Sequence, residues 1–239
     1  MDKTDIILDL IRTRRSERRY KEGAEPIPDE DIEKILDAAR YAPSPENMQM
    51  IRLIAIRDDQ GTKDFIAKIS QEMAAYTFGA VPYELTTGRL WYLPDQNRAG
   101  TFEEMKDGDL FFYPSKADTV IIGMASETWH DSTKVYPNQL FGSVVMGMAF
   151  LQMWLVAHSM GYGIAYQAFP FSDPRNGELI CDRLGIPRTW TPLACMCIGR
   201  PKAPRMLGPS RFQLEGLVYS ERWGIPYKRI AFREEEEEE

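Results

Sequence analysis

Apolar residues recur at helical spacing in the first stretch of the chain: "TDIILDLIRTRRS" puts Ile6, Ile7, Leu10 and Ile11 at i, i+3 and i+4, which predicts a helix running straight into a basic segment. "EPIPDEDIEKILDAARYAP" predicts a second helix. Pro28 and three acids fill its first turn, Ile32, Ile35, Leu36 and Ala39 form its apolar face, and Pro43 stops it. The alternation in "IRLIAIRDD" then predicts a strand. "TKDFIAKISQEMAAYTF" predicts a third helix, "ADTVIIGMA" a buried strand, and "GSVVMGMAFLQMWLVAHSMG" a core helix ended by Gly161 and Gly163. "DRLGIPRTWTPLACMCIGRP" closes with a helix end, a turn and a last strand. Three strands among more numerous helices predict an α+β or α/β fold.

Between about 79 and 113 the periodicity is lost and Gly, Pro and aromatic residues mix. So long an irregular stretch inside a compact domain points to a lid or a binding segment. Within it and just beyond, Trp91, Tyr92, Phe111, Phe112 and Tyr113 are candidates to stack on a flat substrate, with core packing as the alternative. No repeat or linker divides the chain, so residues 1–233 are expected to form one domain, with about 77–115 as its variable segment and Glu234–Glu239 as an acidic tail.

The formal charge of −7 rests on that tail; without it acids and bases nearly balance. Three cysteines, Cys181, Cys195 and Cys197, have neither a disulfide framework nor zinc-site spacing, which predicts free core thiols, no metal and a cytoplasmic protein. The N-terminal stretch lacks the pattern of a signal peptide. The apolar run at 144–157 is short for a bilayer and carries Gln152, so a buried helix is expected rather than a membrane span. A Rossmann glycine pattern, a Walker lysine and a hydrolase elbow are missing, and there are only two histidines, His130 and His158.

Against this near-neutral body, "RTRRSERRYK" at 12–21 places six cations and one acid in ten positions. It could grip nucleic acid, but the remainder lacks a basic face. It could be a solvated helix end complementing the macrodipole. Or it could hold phosphate: Arg14, Ser16 and Arg18 alternate and would project to one side of an extended chain, two guanidinium forks around a hydroxyl. A second informative stretch, "APSPENMQMIRLIAI", sets Asn47 and Gln49 after a Pro-Ser-Pro turn and before a strand. Their amides could read the edge of a polar heterocycle or serve ordinary turn roles.

Together, "RRSERRYKEGAEPIPDEDIEKILDAARYAPSPENMQ" resembles the N-terminal signature of the nitroreductase-like flavoproteins. The likeness continues in "SVVMGMAFLQMWLVAHSMGYGIAYQAF", "LGIPRTWTPLACMCIGRP" and "SRFQLEGLVYSERWG". The resemblance implies a nitroreductase-like fold, a central, mostly antiparallel sheet flanked by helices, in an intertwined homodimer with FMN at the interface. It implies that Arg14, Arg15, Ser16 and Arg18 hold the FMN phosphate, joined by Arg211. It implies that Pro43, Ser44, Pro45, Asn47 and Gln49 reach the partner's flavin, and that Tyr166, Gln167 and Ala168 lie near its reactive face through backbone N–H groups. The implied activity is hydride transfer from reduced flavin N5 to a small aromatic or conjugated electrophile, with NADH or NADPH, or else a protein, as the electron donor and no catalytic side chain. The cofactor itself carries that chemistry. A flavin-consuming enzyme like the dimethylbenzimidazole synthases is the alternative within the fold; a non-enzymatic flavin or nucleic-acid binding module is the alternative outside it. Where the family commonly follows the glutamine with Pro-Trp, this chain has Met50-Ile51-Arg52, so packing beneath the flavin is expected to differ.

Overall fold

The computed structural model describes residues 2–80, 95–126, 138–203, 211 and 213–227. Contacts divide the chain into a large unit, residues 1–206, and a small one, 207–239.

In the large unit the order is α1 (Lys3–Thr13), α2 (Asp29–Ala39), β1 (Ile51–Ile56), α3 (Gln60–Gly79), α4 (Asp95–Lys106), β2 (Thr119–Ser126), α5 (Asn138–Ser159), β3 (Gly163–Gln167), α6 (Pro174–Leu184) and β4 (Trp190–Gly199). The four strands form one sheet in the order β1-β2-β4-β3. Every strand pair is antiparallel, with Ile54 opposite Ile122, Ile122 opposite Cys195 and Ala165 opposite Cys197. This is an α+β fold, six α-helices and four strands among the described residues. It has one strand more than the sequence pattern predicts: β3 carries only five residues between a glycine turn and the 3-10 turn Phe169–Phe171, too few to show alternation.

Both faces of the sheet are covered, which is why the central strand β2 is buried throughout and reads as an unbroken apolar run. On one face Val120, Ile122, Cys195 and Cys197 pack with Ile66 and Ala74 of α3 and Cys181 of α6. On the other, Ile121, Met196 and Ile198 pack with Ile32 and Ile35 of α2 and with Met146, Phe150 and Met153 of α5. Each fully buried Val, Ile, Met or Phe side chain among them contributes about 1.5–3 kcal/mol. The three cysteines are free and buried, as predicted.

Helix ends follow the local chemistry. Asp29, Glu30 and Asp31 occupy the first turn of α2, where carboxylates favour the dipole, and Tyr162 Oη donates to Asp31 at 2.6 Å. That hydroxyl, and Lys34 beside it, hold the Asp31 carboxyl below its usual range. α5 ends at Ser159, and Gly161 takes the left-handed conformation (φ 81°) that turns the chain into β3. Within α5 the stretch Phe141–Ser159 is long and apolar enough to cross a membrane. Its inner face nevertheless packs on the sheet and on α2. α1 is the exception to burial: none of its residues is buried, and Ile6, Ile7 and Ile11 are 46%, 54% and 50% exposed.

The irregular stretch contains α4, which the pattern does not predict because "DQNRAGTFEEMK" has little apolar periodicity; Phe102 is its buried anchor. Two 3-10 turns follow, Asp109–Phe111 and Tyr113–Lys116. In the small unit a 3-10 turn at Leu214–Gly216 leads to a tight return in which Tyr219 bridges Pro226. The Tyr219 and Trp223 rings lie 4.5 Å apart there, and Leu217 and Trp223 are exposed.

Candidate functional site

The basic segment leaves α1 in extended form and is bonded down along its length. Ser16 bridges Ile164 of β3 in parallel, and Glu17 N donates to Ile164 O at 2.7 Å. Lys21 N donates to Arg200 O and Lys202 N to Arg19 O, both at 2.9 Å. Tyr20 is buried and its hydroxyl donates to Cys197 O at 2.9 Å. Glu17 turns inward, where its carboxylate accepts from Arg19 N at 2.8 Å. The approach is close enough that a Cβ on Gly163 would lie 2.7 Å from Glu17 Cγ, so glycine is required there. The segment thus occupies the outer edge of β3, its backbone bonded to β3 and to the residues after β4, and Arg19 pairs with Glu104 of α4 at 3.0 Å.

The three arginines acquire different neighbours. The Arg14 guanidinium lies 4.3 Å from the centroid of the Trp154 ring on α5. Arg15 donates through one guanidinium nitrogen to Arg12 O (2.6 Å) and Arg14 O (2.7 Å), satisfying carbonyls at the end of α1, a helix-end role of the kind the sequence left open. Arg18 lines a cavity of about 560 Å³ together with Gln71, Phe112, Tyr113, Lys116 and Lys202. The structure therefore brings Arg18 together with Phe112 and Tyr113, whereas Arg14 stands on the layer of α5. Phe111 and Tyr113 are core residues, 7% and 2% exposed, and the Phe111 ring meets Phe169 at 4.7 Å and Phe78 at 5.7 Å. Phe112 is half-buried. Burial pushes the Tyr113 hydroxyl well above its usual range, so it stays protonated. Trp91 and Tyr92 lie outside the described residues, and Arg211 stands exposed in the small unit.

At the C-terminal end of β3, Tyr166 is 43% exposed and meets Phe150 edge-on at 6.0 Å, Gln167 is buried, and Ala168 is exposed. Gln167 Nε2 donates to Ser70 Oγ at 3.0 Å. Its Oε1, like Nε of Arg15 and of Arg18, is buried without a hydrogen-bond partner. Unsatisfied buried polar atoms are costly and rare, and four of the five side-chain atoms of this kind among the described residues belong to candidate site positions, those of Arg15, Arg18 and Gln167 and the Tyr113 hydroxyl.

The second motif lies at the opposite edge of the sheet. Glu46, Asn47 and Gln49 all have left-handed backbones, φ 51°, 54° and 47°. Non-glycine residues rarely adopt this region, at a cost of about 1–2 kcal/mol each. The turn is braced by Gln49 N donating to Ser44 Oγ at 3.0 Å and Arg52 donating to Gln49 O at 2.9 Å. Pro43, Pro45, Asn47 and Gln49 are exposed, and Ser44 is half-buried. Met50, standing where the family commonly has proline, is buried and its carbonyl accepts from Ser126 N. Backbone strain of this kind clusters at functional segments in proteins generally.

Two edges of one sheet are thereby equipped with complementary chemistry: fixed guanidiniums and a hydroxyl beside β3, exposed amides on a strained turn before β1. With β3, β4, β2 and β1 side by side, the basic segment and β1 are four strand spacings apart, about 19 Å. The donor set beside β3, with its two partnerless guanidinium nitrogens, fits a phosphate-bearing group.

Comparison with known proteins agrees with this architecture. Residues 11–200 match the model of the nitroreductase family. An NADPH-dependent oxidoreductase of Staphylococcus haemolyticus is 24% identical over 199 residues, which are 83% of this chain and 66% of that protein, so the chain spans just under two thirds of this relative. A Desulfovibrio desulfuricans protein solved in complex with FMN superposes with a TM-score of 0.61 at 22% identity, covering 91% of this chain and 97% of the other. The NADPH:FMN oxidoreductase of Vibrio harveyi, solved with NAD+, gives 0.60 at 20% identity, covering 97% and 82%. At these identities the solved structures bear on the fold alone, but the family match takes in both the basic segment and the strained turn. The chain belongs to the nitroreductase family.

Proposed function

We propose that the protein is an FMN-dependent oxidoreductase that passes hydride to a small aromatic or conjugated electrophile and is reloaded by NADH or NADPH. The observation that carries this reading is the basic segment fixed along β3, with buried guanidinium nitrogens of Arg15 and Arg18 left unpartnered. Proteins similar to this chain point the same way: one is an NADPH-dependent oxidoreductase, one was solved in complex with FMN, and one is an NADPH:FMN oxidoreductase.

In this reading Arg14, Arg15, Ser16 and Arg18 hold the phosphate, Arg15 also closing the end of α1 beside it. Tyr166, Gln167 and Ala168 border the reacting face, where backbone N–H groups favour the negative charge that develops on reduction. When bound, reduced flavin supplies hydride from N5. The protein's share is to bind, orient and exclude water, so no acid or base side chain is assigned. Phe112 borders the cavity beside Arg18, Phe111 and Tyr113 are core packing instead of stacking partners, and Trp91 and Tyr92 are assigned to substrate recognition.

The site is completed by a second copy. The turn at 43–49 stands at the far edge of its own sheet and serves the flavin of a partner. The apolar residues needed to bury such an interface are present: Ile6, Ile7 and Ile11 of α1, and Val144 and Leu151 of α5, are all exposed. Light scattering is expected to give a dimer; a monomer that holds FMN tightly would contradict this.

The test of function is the visible spectrum of the purified or FMN-reconstituted protein, followed by anaerobic addition of NADH and of NADPH. Bound flavin that bleaches with either bears out the reading. A protein that takes up no FMN refutes it.

A further inference from the structure

Two side chains of α5 meet the basic segment without a part in the flavin reading. Trp154 and His158 stand four residues apart, one above the other on a single helix face. Trp154 lies under the Arg14 guanidinium. His158 Nε2 lies 2.9 Å from Thr13 Oγ1, the last residue of α1. The same Thr13 hydroxyl donates its one proton to Asp9 O at 2.7 Å, so the bond to His158 is made by an Nε2–H donor. That fixes the neutral ring as the Nε2–H tautomer and leaves Nδ1 as the position for an added proton.

A cation–π contact draws on the charge of the guanidinium and uses none of its N–H donors. Arg14 is thereby held at the junction of α1 and the extended segment before any ligand arrives, rather than drawn from many rotamers on binding. Resting on the reading of Arg14 as a phosphate ligand, we infer that Trp154 and His158 are positioning residues of the phosphate site: the indole holds Arg14, and the imidazole gains a proton when a phosphate dianion settles among the arginines.

The charged groups facing His158 are Arg14 and Arg15, from the segment after α1, and Asp9 on α1. Burial, then the two arginines, push its titration below the usual histidine range, and Asp9 opposes them. A dianion among the arginines cancels that repulsion, so proton binding and phosphate binding favour each other, and by linkage each strengthens the other equally.

Two measurements test this. FMN affinity is compared between the parent, Trp154→Leu, Trp154→Phe and His158→Gln from pH 6 to pH 8.5, with riboflavin, which lacks the phosphate, as the control. Trp154→Leu is expected to weaken FMN binding by roughly 3- to 30-fold, as loss of a cation–π contact allows, with Trp154→Phe between it and the parent and riboflavin affinity unchanged. The ratio of the His158→Gln to parent dissociation constants is expected to grow as pH falls. Taking the ratio cancels the titration of the phosphate itself. The second measurement needs no variant: the chain has two histidines, so proton NMR can follow both imidazoles, and one is expected to titrate at higher pH with FMN bound than with riboflavin or no ligand. If Arg14→Ala weakens FMN while the tryptophan variants, the pH ratio and the imidazole signals do not respond, the inference is overturned and the flavin reading stands. If the parent binds no FMN, both fall.

Discussion

The two edges of the sheet solve opposite problems. At the β3 edge a highly charged segment is held in place by backbone hydrogen bonds, a buried tyrosine and a glycine that admits it closely, so that its guanidiniums are arranged at no cost to the local backbone. At the β1 edge the turn is nearly uncharged, exposed and strained at three residues, held by a serine hydroxyl and an arginine. Charge can be fixed by ordinary strand geometry because long side chains find their own direction. Short amides cannot; they must be aimed by the backbone, and the left-handed residues do the aiming. In the proposed function each edge is half of a binding site.

The largest expected effect falls on the charged edge. Arg14→Ala removes a charge-assisted contact, and FMN affinity measured by fluorescence titration should fall by about 1.5–3 kcal/mol, on the order of 10- to 150-fold. On the strained edge, Ser44→Ala removes the acceptor for Gln49 N and should lower folding stability in denaturant titration by about 1 kcal/mol. Glu46→Gly should do the reverse, raising stability by about 0.5–1 kcal/mol, because glycine accepts a φ of 51° and its greater unfolded entropy offsets only part of the relief. A loss of stability in that variant would show that the turn is not strained. The smallest effect is a pH dependence. His158 titrates below its unfolded value, so in the flavin-free protein the unfolded chain binds more protons; the stability contribution is full above about pH 6.5 and is lost as pH falls through that value toward the folded one. His158→Gln should flatten that part of the stability profile.

The same two edges differ in how far their sequence can be read. Arg14, Ser16 and Arg18 alternate, which places them on one side if the chain is extended there, and Pro-Ser-Pro declares a turn. What alternation does not carry is the neighbour of each arginine: Trp154 and His158 lie about 140 residues further along the chain than Arg14 and Thr13. Nor does the turn's composition foretell left-handed backbones at Glu46 and Gln49, since that region ordinarily favours glycine. The strands 51–56, 119–126 and 190–199 are legible because apolar and β-branched residues mark them. β3 is not, being five residues whose place is decided by pairing on both sides, with β4 and with Ser16.

The central claim, that one chain equips two half-sites and a second copy completes each, is tested most directly by complementation. One chain carries Arg14→Ala with Arg18→Ala; the other carries Asn47→Gly with Gln49→Gly, glycine preserving the turn's backbone. Each alone is expected to hold little flavin. Co-expressed and purified as the mixed pair, they should regain one FMN per two chains, because one of the two sites then draws only on intact edges. A mixed pair that stays as empty as its parents would contradict the account.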